Sequence, residues 1–280
     1  MKQQKVWFVT GTSKGFGLSI VKQLLAQGIP VAATTRNVEE LIKAVGKDDN
    51  FLPLAVDLTS EKSVADALAT TVNRFGRVDV VVNNAGYGLV GGLEELTDAE
   101  GRKNFDVNVF GLLHVVRKAL PYLRAQGTGH IINFSSIGGF VGSFPGFGIY
   151  CATKFAVNGL TEALAAEVKP FGIHATIVAP GYFRTNFLAS DSLVAPENMI
   201  EAYTNVRESQ LQHQQSLDGN QPGDPEKAAA AVIEIAAVDN PPLYLYLGED
   251  AYGLAQQKLD TIKHELETWK ELTLSTAIEA

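Results

Sequence analysis

Cysteine is almost absent from this sequence, since Cys151 is the single one among 280 residues. One cysteine excludes a disulfide within the chain and favours a reducing compartment. Cys151 directly follows Tyr150, but no histidine is near it in the sequence. We therefore interpret it as a small buried residue rather than as a reactive thiol.

Long apolar runs and excess positive charge are also missing. No stretch approaches the roughly 18 apolar residues that span a bilayer, so we expect no membrane partner. The first residues, MKQQKVWFVT, enter a strand-like run almost at once, so we expect no signal peptide and a cytoplasmic location. The net charge of −8 argues against a nucleic-acid partner. Because the five histidines (114, 130, 174, 213 and 264) lack metal-ligand spacing, we predict no metal.

Short apolar runs alternate with amphipathic stretches along most of the chain. Near-continuous apolar strands separated by helices are typical of a parallel sheet covered on both faces. We therefore predict an α/β fold, a doubly wound seven-stranded parallel sheet with helices on both faces, in a single domain over residues 1–280. The predicted strands are 5–10, 31–35, 51–57, 78–83, 130–135, 173–180 and 243–247.

Two segments depart from this alternation. The segment of about 182–224 mixes aromatic and polar residues, and it is either a substrate-binding loop or helical insertion, or surface packing. After residue 248, an apolar stripe at helical spacing predicts a C-terminal helix over about 250–272 that docks on the domain. The stripe consists of Leu259, Ile262, Leu266 and Trp269.

A glycine-rich turn follows the first predicted strand. The segment VTGTSKGFG places Gly11, Gly15 and Gly17 between that strand and the next helix. Such a turn needs residues without a Cβ, and phosphates bind where backbone N–H groups of a helix N-terminus point outward. The position favours a dinucleotide site, although the glycine spacing differs from the usual Gly-x-Gly-x-x-Gly pattern. A structural turn is the alternative, and the absence of Gly-Lys-Ser/Thr excludes a P-loop.

The end of the second predicted strand indicates which dinucleotide fits. The ribose diol of NAD calls for an acidic residue there. This strand ends in Thr35, Arg36 and Asn37, and no acid occurs before Glu39, whereas Lys14 adds a cation from the glycine turn. Two cations without a carboxylate favour a 2′-phosphate, so we expect NADP(H) as the cofactor. The alternative is that both cations are solvated surface charges.

Tyr150 and Lys154 lie four residues apart in the segment GFGIYCATKFAVNGL. Residues i and i+4 share a helix face, so we expect the phenol and the ammonium side by side. Lowering the phenol's pKa from about 10 to about 7 requires about 4 kcal/mol. A cation about 4 Å away supplies about 4 kcal/mol at an effective dielectric constant near 20. We therefore expect Lys154 to lower the pKa of Tyr150 and to make it a usable acid or base. The alternative is a buried tyrosine beside a lysine that reaches solvent.

Six short motifs occur in a fixed order: TGTSKGFG, NNAG at 83–86, NVFG at 108–111, SS at 135–136, YCATK at 150–154 and PGYFRT at 180–185. Together they resemble the short-chain dehydrogenase/reductase family in its single-domain form, over roughly residues 5–190. The sequence looks most like the branch related to 17-beta-hydroxysteroid dehydrogenases. The resemblance implies one Rossmann-type dinucleotide-binding catalytic domain.

The resemblance also implies roles for individual residues. Tyr150 looks like the proton donor to the carbonyl, and Lys154 like the residue that lowers its pKa and binds the nicotinamide ribose. Ser136, or alternatively Ser135, resembles the residue that polarises the substrate carbonyl. Asn108 resembles the residue that holds a water in the proton relay. The implied cofactor contacts are Gly11, Ser13, Lys14, Gly15, Phe16, Gly17, Arg36, Asp57, Leu58, Asn83, Asn84, Ala85, Gly86, Tyr150, Lys154, Pro180, Gly181 and Thr185.

The expected function is that of an NADPH-dependent carbonyl reductase or, in reverse, an alcohol dehydrogenase. Aromatic and apolar residues flank the expected site and favour a hydrophobic ketone, aldehyde or secondary alcohol as substrate. They are Phe140, Phe144, Phe147, Tyr182, Phe183, Phe187 and Leu188. A non-catalytic NADP(H)-binding regulatory protein is the main alternative, and a sugar-nucleotide epimerase or dehydratase is a more distant one. The helices of about 97–125 and 149–168 suit either core packing or a homo-oligomer, a dimer or tetramer.

Overall fold

The computed structural model describes residues 4–188 and 192–278. Within them, seven parallel strands form one sheet in the order β3-β2-β1-β4-β6-β7-β9. These strands are β1 (Trp7–Thr10), β2 (Val31–Thr35), β3 (Phe51–Ala55), β4 (Val80–Asn83), β6 (Gly129–Phe134), β7 (Ile173–Pro180) and β9 (Tyr244–Leu247). Two short strands, β5 (Gly88–Leu89) and β8 (Leu193–Val194), pair outside this sheet.

Helices connect the strands and cover both faces of the sheet. They are α1 (Gly15–Ala26), α2 (Val38–Val45), α3 (Glu61–Phe75), α4 (Asp98–Phe105), α5 (Leu112–Gln126), α6 (Gly148–Val168), α7 (Thr204–Leu211), α8 (Pro225–Ile235), α9 (Glu249–Thr268) and α10 (Lys270–Leu274). Six-residue π-helices continue α4 at Asp106–Gly111 and α7 at Gln212–Leu217. None of the helices in the described ranges has the length and apolar character needed to cross a bilayer.

The two faces of the sheet carry separate cores because neighbouring strand residues point in opposite directions. Phe8 packs with residues of α3, α5 and α6 on one face. Its neighbour Val9 packs with residues of α1 and α8 on the other. The strands of such a sheet are apolar on both sides, which confirms the predicted doubly wound sheet.

The segment between β7 and α8 folds back over the carboxyl ends of the strands. Its strand β8 pairs in parallel with β5, so that Gly88 is opposite Leu193. A buried carboxylate, Glu95, accepts hydrogen bonds from the Ile200 N–H and from Arg207 at the start of α7. These contacts attach the segment to the turn that follows β5. Of the predicted insertion, residues 189–191 lie outside the described ranges.

The docking predicted for the C-terminal helix is wrong. Only the first turns of α9 touch the domain, through the buried residues Ala251 and Ala255. The side chains of Leu259, Leu266 and Trp269 are 51%, 62% and 60% exposed. The helical stripe exists as predicted, but no part of the described chain covers it.

Candidate active site

A cleft with a volume of about 1110 Å³ lies where the strands β1, β4, β6 and β7 end. Strand order reverses beside β1, which has β2 on one side and β4 on the other. Ligands of doubly wound sheets bind at such a reversal. Most of the predicted site residues line this cleft: Gly11, Ser13, Lys14, Gly15, Phe16, Arg36, Asp57, Leu58, Asn84, Ala85, Gly86, Ser136, Tyr150, Lys154, Pro180, Gly181 and Thr185.

The glycine turn between β1 and α1 needs its glycines for two reasons. Gly11 has a φ of 69°, and a Cβ on it would lie 2.7 Å from the Cα of Ala85. Gly17 does not line the cleft; a Cβ there would lie 2.4 Å from the Gly11 carbonyl oxygen. The turn therefore tolerates no side chain at these positions, and Gly17 acts by letting α1 pack closely against the turn.

The N-terminus of α1 is suited to a phosphate. The residue before the helix, Lys14, makes no side-chain cap, and the first turn holds no acidic residue. The first N–H groups of a helix have no partner within the helix, and they attract anions. Together with the absence of any Cβ at Gly11 and Gly15, this leaves a cradle that fits the pyrophosphate of a dinucleotide.

Asn84, rather than Asn83, faces the cleft. The Asn84 Nδ2 donates to the carbonyl oxygens of Thr10 and Gly11, each over 2.9 Å. Asn83 is the last residue of β4 and points into the sheet packing, where it donates to Asn133 over 2.8 Å. Placing Asn83 in the wall of the cofactor site is therefore wrong, because alternation along β4 turns its side chain away.

Charged groups of both signs line the cleft beside the end of β2. Lys14 and Arg36 are there as expected, and Arg36 is exposed. Glu40, in the first turn of α2, lines the same cleft. The sequence did not predict a carboxylate of α2 in this cleft, and Glu40 supplies one. Asp57 lies after β3, and hydrogen bonds from the Thr59 side chain and backbone lower its pKa, so it is ionised at neutral pH.

The two serines that follow β6 have different surroundings. The Ser135 hydroxyl is buried and donates to the Lys154 carbonyl oxygen over 3.2 Å. The Ser136 hydroxyl accepts from the Gly138 N–H over 3.0 Å. A Cβ on Gly138 would lie 3.4 Å from this hydroxyl oxygen and 3.7 Å from Cε1 of Tyr150. Ser136 is therefore the serine whose hydroxyl stands beside the phenol, and Ser135 fixes α6 to the sheet.

Tyr150 and Lys154 share one face of α6, and the lysine nitrogen lies 5.8 Å from the centre of the tyrosine ring. Both are buried. Burial raises the pKa of the Tyr150 phenol well above its ordinary value, and the hydrogen bond from Ser136 offsets this only in part. Burial also lowers the pKa of Lys154 to about 8. The expected lowering of the Tyr150 pKa by Lys154 is therefore not found in this structure, because burial of the phenol is the largest influence and raises its pKa.

Asn108 lies in the π-helix after α4, directly behind the cleft. Its Oδ1 accepts from the Tyr87 N–H over 3.0 Å, and its Nδ2 donates to the Thr153 hydroxyl over 3.1 Å. A Cβ on Gly86 would lie 3.0 Å from Asn108 Oδ1 and 3.6 Å from Lys154 Nζ. The structure thus brings Asn108 close to Lys154 without placing it in the cleft lining; its role in a proton relay stays a prediction.

Aromatic rings surround the phenol on the side away from the glycine turn. The ring of Phe187 lies 5.7 Å from that of Tyr150, and Phe147 lies 6.4 Å from it on centres. Phe144, Tyr182, Phe183 and Leu188 line the cleft as well. Phe140 does not, because it packs against Tyr246 on β9. The wall around the phenol is therefore mostly apolar.

Two residues of the site had no signal in the sequence. The Asp250 carboxylate accepts from the Tyr182 N–H over 2.6 Å and holds the turn after β7. His213, in the π-helix after α7, lies 4.6 Å from the ring of Phe147 and bonds to the Tyr182 hydroxyl. Both contacts join residues more than 30 positions apart, so local patterns do not reveal them. In the described ranges, no three metal-ligating side chains cluster.

Comparison with known proteins identifies the family. The model of the short chain dehydrogenase family matches residues 5–193. Oxidoreductase BOA17 of Botryotinia fuckeliana is 35% identical over 275 residues, which cover 98% of this chain and 99% of that protein. The chain belongs to the short-chain dehydrogenase/reductase family. Another short-chain dehydrogenase/reductase, 3-ketodihydrosphingosine reductase of Bacteroides thetaiotaomicron, is 37% identical over 248 residues, 88% of each chain.

Solved structures share the fold, and one of them holds a bound nicotinamide cofactor. A short-chain dehydrogenase from Streptomyces avermitilis has a TM-score of 0.90 and 40% identity, and the match covers 99% of this chain and 100% of that one. ElxO with NADP bound has a TM-score of 0.72 and 28% identity, covering 88% and 97% of the two chains. These relationships show an oxidoreductase with a nicotinamide-binding fold. The narrower resemblance to 17-beta-hydroxysteroid dehydrogenases stays a prediction.

Proposed function

We propose that this protein is an NADPH-dependent carbonyl reductase that transfers hydride to a hydrophobic ketone or aldehyde and, in reverse, oxidises a secondary alcohol. The observation that carries the proposal is that the Ser136 hydroxyl and the Tyr150 phenol lie next to each other in the lining of one cleft. Two hydroxyl groups that meet in this way form a site for one carbonyl oxygen.

The cofactor would lie along the ends of β1, β2 and β4. Its pyrophosphate would rest on the glycine turn, and Lys14 and Arg36 would face a 2′-phosphate. Bound NADPH supplies the hydride. Since Glu40 lines the same cleft, the preference for NADPH over NADH rests on the balance between these cations and one carboxylate.

Tyr150 would act as the acid in the reduction. A buried phenol with a raised pKa keeps its proton at neutral pH, so the group is ready to donate as negative charge develops on the substrate oxygen. Lys154, with a pKa of about 8, is mostly charged at pH 7 and would stabilise the phenolate that remains. Ser136 would hold the carbonyl oxygen in place during the transfer.

The aromatic wall would select the substrate. The rings of Phe147 and Phe187 lie 6.4 and 5.7 Å from the Tyr150 ring and would contact a substrate held at the phenol. Phe144, Phe147, Phe187 and Leu188 are among the described residues that line this cleft, so an apolar substituent on the carbonyl carbon fits better than a phosphate. The relative from Bacteroides thetaiotaomicron is named as a reductase of 3-ketodihydrosphingosine, and its name is consistent with an apolar ketone here. With one buried cysteine, the protein would work in the cytoplasm.

The test is a set of ketones of increasing apolar size, incubated with the protein and NADPH while the NADPH absorbance is recorded. The proposal predicts turnover whose kcat/KM rises with apolar size until the cleft is full. Tight NADPH binding without turnover of any ketone or aldehyde would instead support the regulatory alternative. A panel of phosphorylated carbonyl compounds serves as the control and is expected to react poorly.

A further inference from the structure

The C-terminal helical segment leaves the domain after its second turn. Ala251 and Ala255 are buried against residues that include Ile137 and Val141, but every described residue from 259 to 278 is exposed. An isolated helix of this length is marginal in water, because helices in proteins take most of their stability from packing an apolar face. A projecting helix with an apolar face therefore calls for a partner.

The apolar residues of this segment repeat with a fixed period. Spacings of three and four residues alternate through Tyr252, Ala255, Leu259, Ile262, Leu266 and Trp269. This is a mean period of 3.5 residues, the period of a seam between two helices. A helix that lies on a globular core shows a wider stripe with a period near 3.6. The pattern indicates that the missing partner is itself a helix.

The exposed area is close to what a specific pair of helices needs. Burying an aliphatic side chain contributes about 1.5–3 kcal/mol of free energy. At about 25 cal/mol per Å², this corresponds to roughly 60–120 Å² of apolar surface removed from water. Aromatic side chains remove roughly 150–250 Å² each. Between about a third and two-thirds of the side chains Tyr252, Leu259, Ile262, Leu266 and Trp269 is exposed, so one copy offers roughly 300–500 Å². Two copies offer roughly 600–1,000 Å², and the upper end of this range is the lower limit of a specific interface.

The charges of the segment favour a protein helix over a lipid surface. Residues 249–274 hold six acidic side chains and three lysines, a net charge of −3. Anionic membranes repel such a helix, and membrane-surface helices carry Lys and Arg on their polar face. In contrast, Glu265 flanks the stripe and would lie next to a lysine of a second, identical helix whether the two helices run parallel or antiparallel. In a parallel pair this lysine is Lys270 of the second copy, and in an antiparallel pair it is Lys258 of the second copy.

We propose that the exposed side chains of this stripe, Tyr252, Leu259, Ile262, Leu266 and Trp269, pair with those of a second copy of the chain. The pairing adds an interface that is separate from the active-site cleft, since none of these residues lines the cleft. It does not depend on the proposed enzymatic activity.

Molar mass in solution tests the pairing. The variant Ile262→Glu/Leu266→Glu places two carboxylates in the seam, and Gln257→Glu/His264→Glu places two on the opposite face of the same helix. Light scattering after size-exclusion chromatography is expected to give a twofold lower mass for the seam variant. The opposite-face control is expected to keep the parent mass. Equal masses for all three proteins would overturn the proposal.

Cross-linking through one new cysteine gives a second readout that does not require a disruptive change. Ile262→Cys adds a thiol in the seam, whereas the native Cys151 is buried. A short bismaleimide is expected to convert Ile262→Cys, but not the parent or Gln257→Cys, to a covalent dimer. Equal cross-linking of the two variants would contradict the pairing. Loss of vesicle co-sedimentation in the seam variant, with no change in mass, would assign the stripe to a lipid surface and also overturn it.

Discussion

The Lys154 ammonium donates a hydrogen bond to the Phe134 carbonyl oxygen over 2.9 Å, which ties α6 to the last residue of β6. The contact fixes the lysine beneath the cleft, where it is buried and its pKa falls to about 8. Because Tyr150 lies one turn earlier on the same helix, this contact also fixes the height of the phenol above the strand ends.

Lys154 is expected to make cofactor binding depend on pH. Its folded-state pKa lies below its ordinary value, so the charge present at pH 7 is lost as the pH rises through about 8. We predict that the Kd of NADPH increases several-fold between pH 7 and 9, because an anionic ligand loses one cation. Lys154→Met should bind more weakly at pH 7 and lose this pH dependence. A fluorescence titration at several pH values measures the Kd of NADPH for both proteins. If this Kd changed with pH equally in the parent and in Lys154→Met, the assignment would be contradicted.

The two serines after β6 offer a matched pair of substitutions. Ser136→Ala removes the hydroxyl beside the phenol, so we predict a loss of about 10²-fold in kcat. Ser135→Ala removes only the bond to the Lys154 carbonyl oxygen and should cost about 1 kcal/mol of folding free energy with kcat nearly unchanged. Steady-state kinetics with urea unfolding separates the two effects. The reverse order of kcat losses would show that Ser135 is the reacting group.

Gly11 and Gly28 both have a φ of 69° but differ in their surroundings. A Cβ on Gly11 would lie 2.7 Å from the Ala85 Cα, whereas nothing lies within 4 Å of one on Gly28. Gly28→Ala should therefore lower the free energy of unfolding by only about 1–2 kcal/mol, the cost of holding a residue with a Cβ in the left-handed region. Gly11→Ala should destabilise further and reduce NADPH affinity at least tenfold, since the turn must move. Scanning calorimetry measures the stability of both variants, and titration calorimetry measures their NADPH affinity. Similar NADPH affinities for Gly11→Ala and Gly28→Ala would contradict the prediction.

Arg36 is expected to contribute to the choice between NADPH and NADH. A hydrogen bond to a charged group is worth about 1.5–3 kcal/mol, and exposure of Arg36 reduces this, so Arg36→Gln should weaken NADPH about tenfold. NADH affinity should stay the same, because NADH lacks the 2′-phosphate. Lys43→Gln, on α2 outside the cleft lining, is the control. Equal weakening of both cofactors by Arg36→Gln would rule out this role.

Glu95 is expected to hold the segment after β7 in a pH-dependent way. Burial raises the carboxyl's pKa, but hydrogen bonds from the Ile200 and Gly92 N–H groups and the charge of Arg207 lower it below the ordinary value. A lowered folded-state pKa stabilises the protein above the unfolded-state pKa, and this stability disappears on acidification. Glu95→Gln should lower the thermal midpoint at pH 7 but much less at pH 3. Glu39→Gln, an exposed position on α2, is the control. A difference between Glu95→Gln and the parent that does not change with pH would contradict the assignment.

Sequence patterns were sufficient for the sheet and for the parts of the site that lie next to strand ends. The strand predicted over 31–35 matches β2, and the strand predicted over 173–180 matches β7. Buried parallel strands are apolar on both faces, which makes them visible in a sequence. The two-residue strands β5 and β8 have no such pattern and were not predicted.

Three other features depend on contacts that a sequence does not show. Asp250 reaches Tyr182 across 68 positions, so local patterns do not place it in the site. The stripe of α9 indicated a need for burial but not which surface supplies it, and docking on the domain was the wrong choice. The pKa of Tyr150 depends on how deeply α6 buries the phenol, and this was absent from a pairwise estimate between two charges.

The most direct test of the proposed mechanism is single-turnover hydride transfer by Tyr150→Phe, with Tyr252→Phe on the exposed face of α9 as the control. The phenol's proton is expected to be required for reduction, so the rate should fall by at least 10²-fold while the Kd of NADPH changes less than twofold. Tyr252→Phe should keep the parent rate. A Tyr150→Phe rate close to that of the parent would contradict the assignment of Tyr150 as the proton donor.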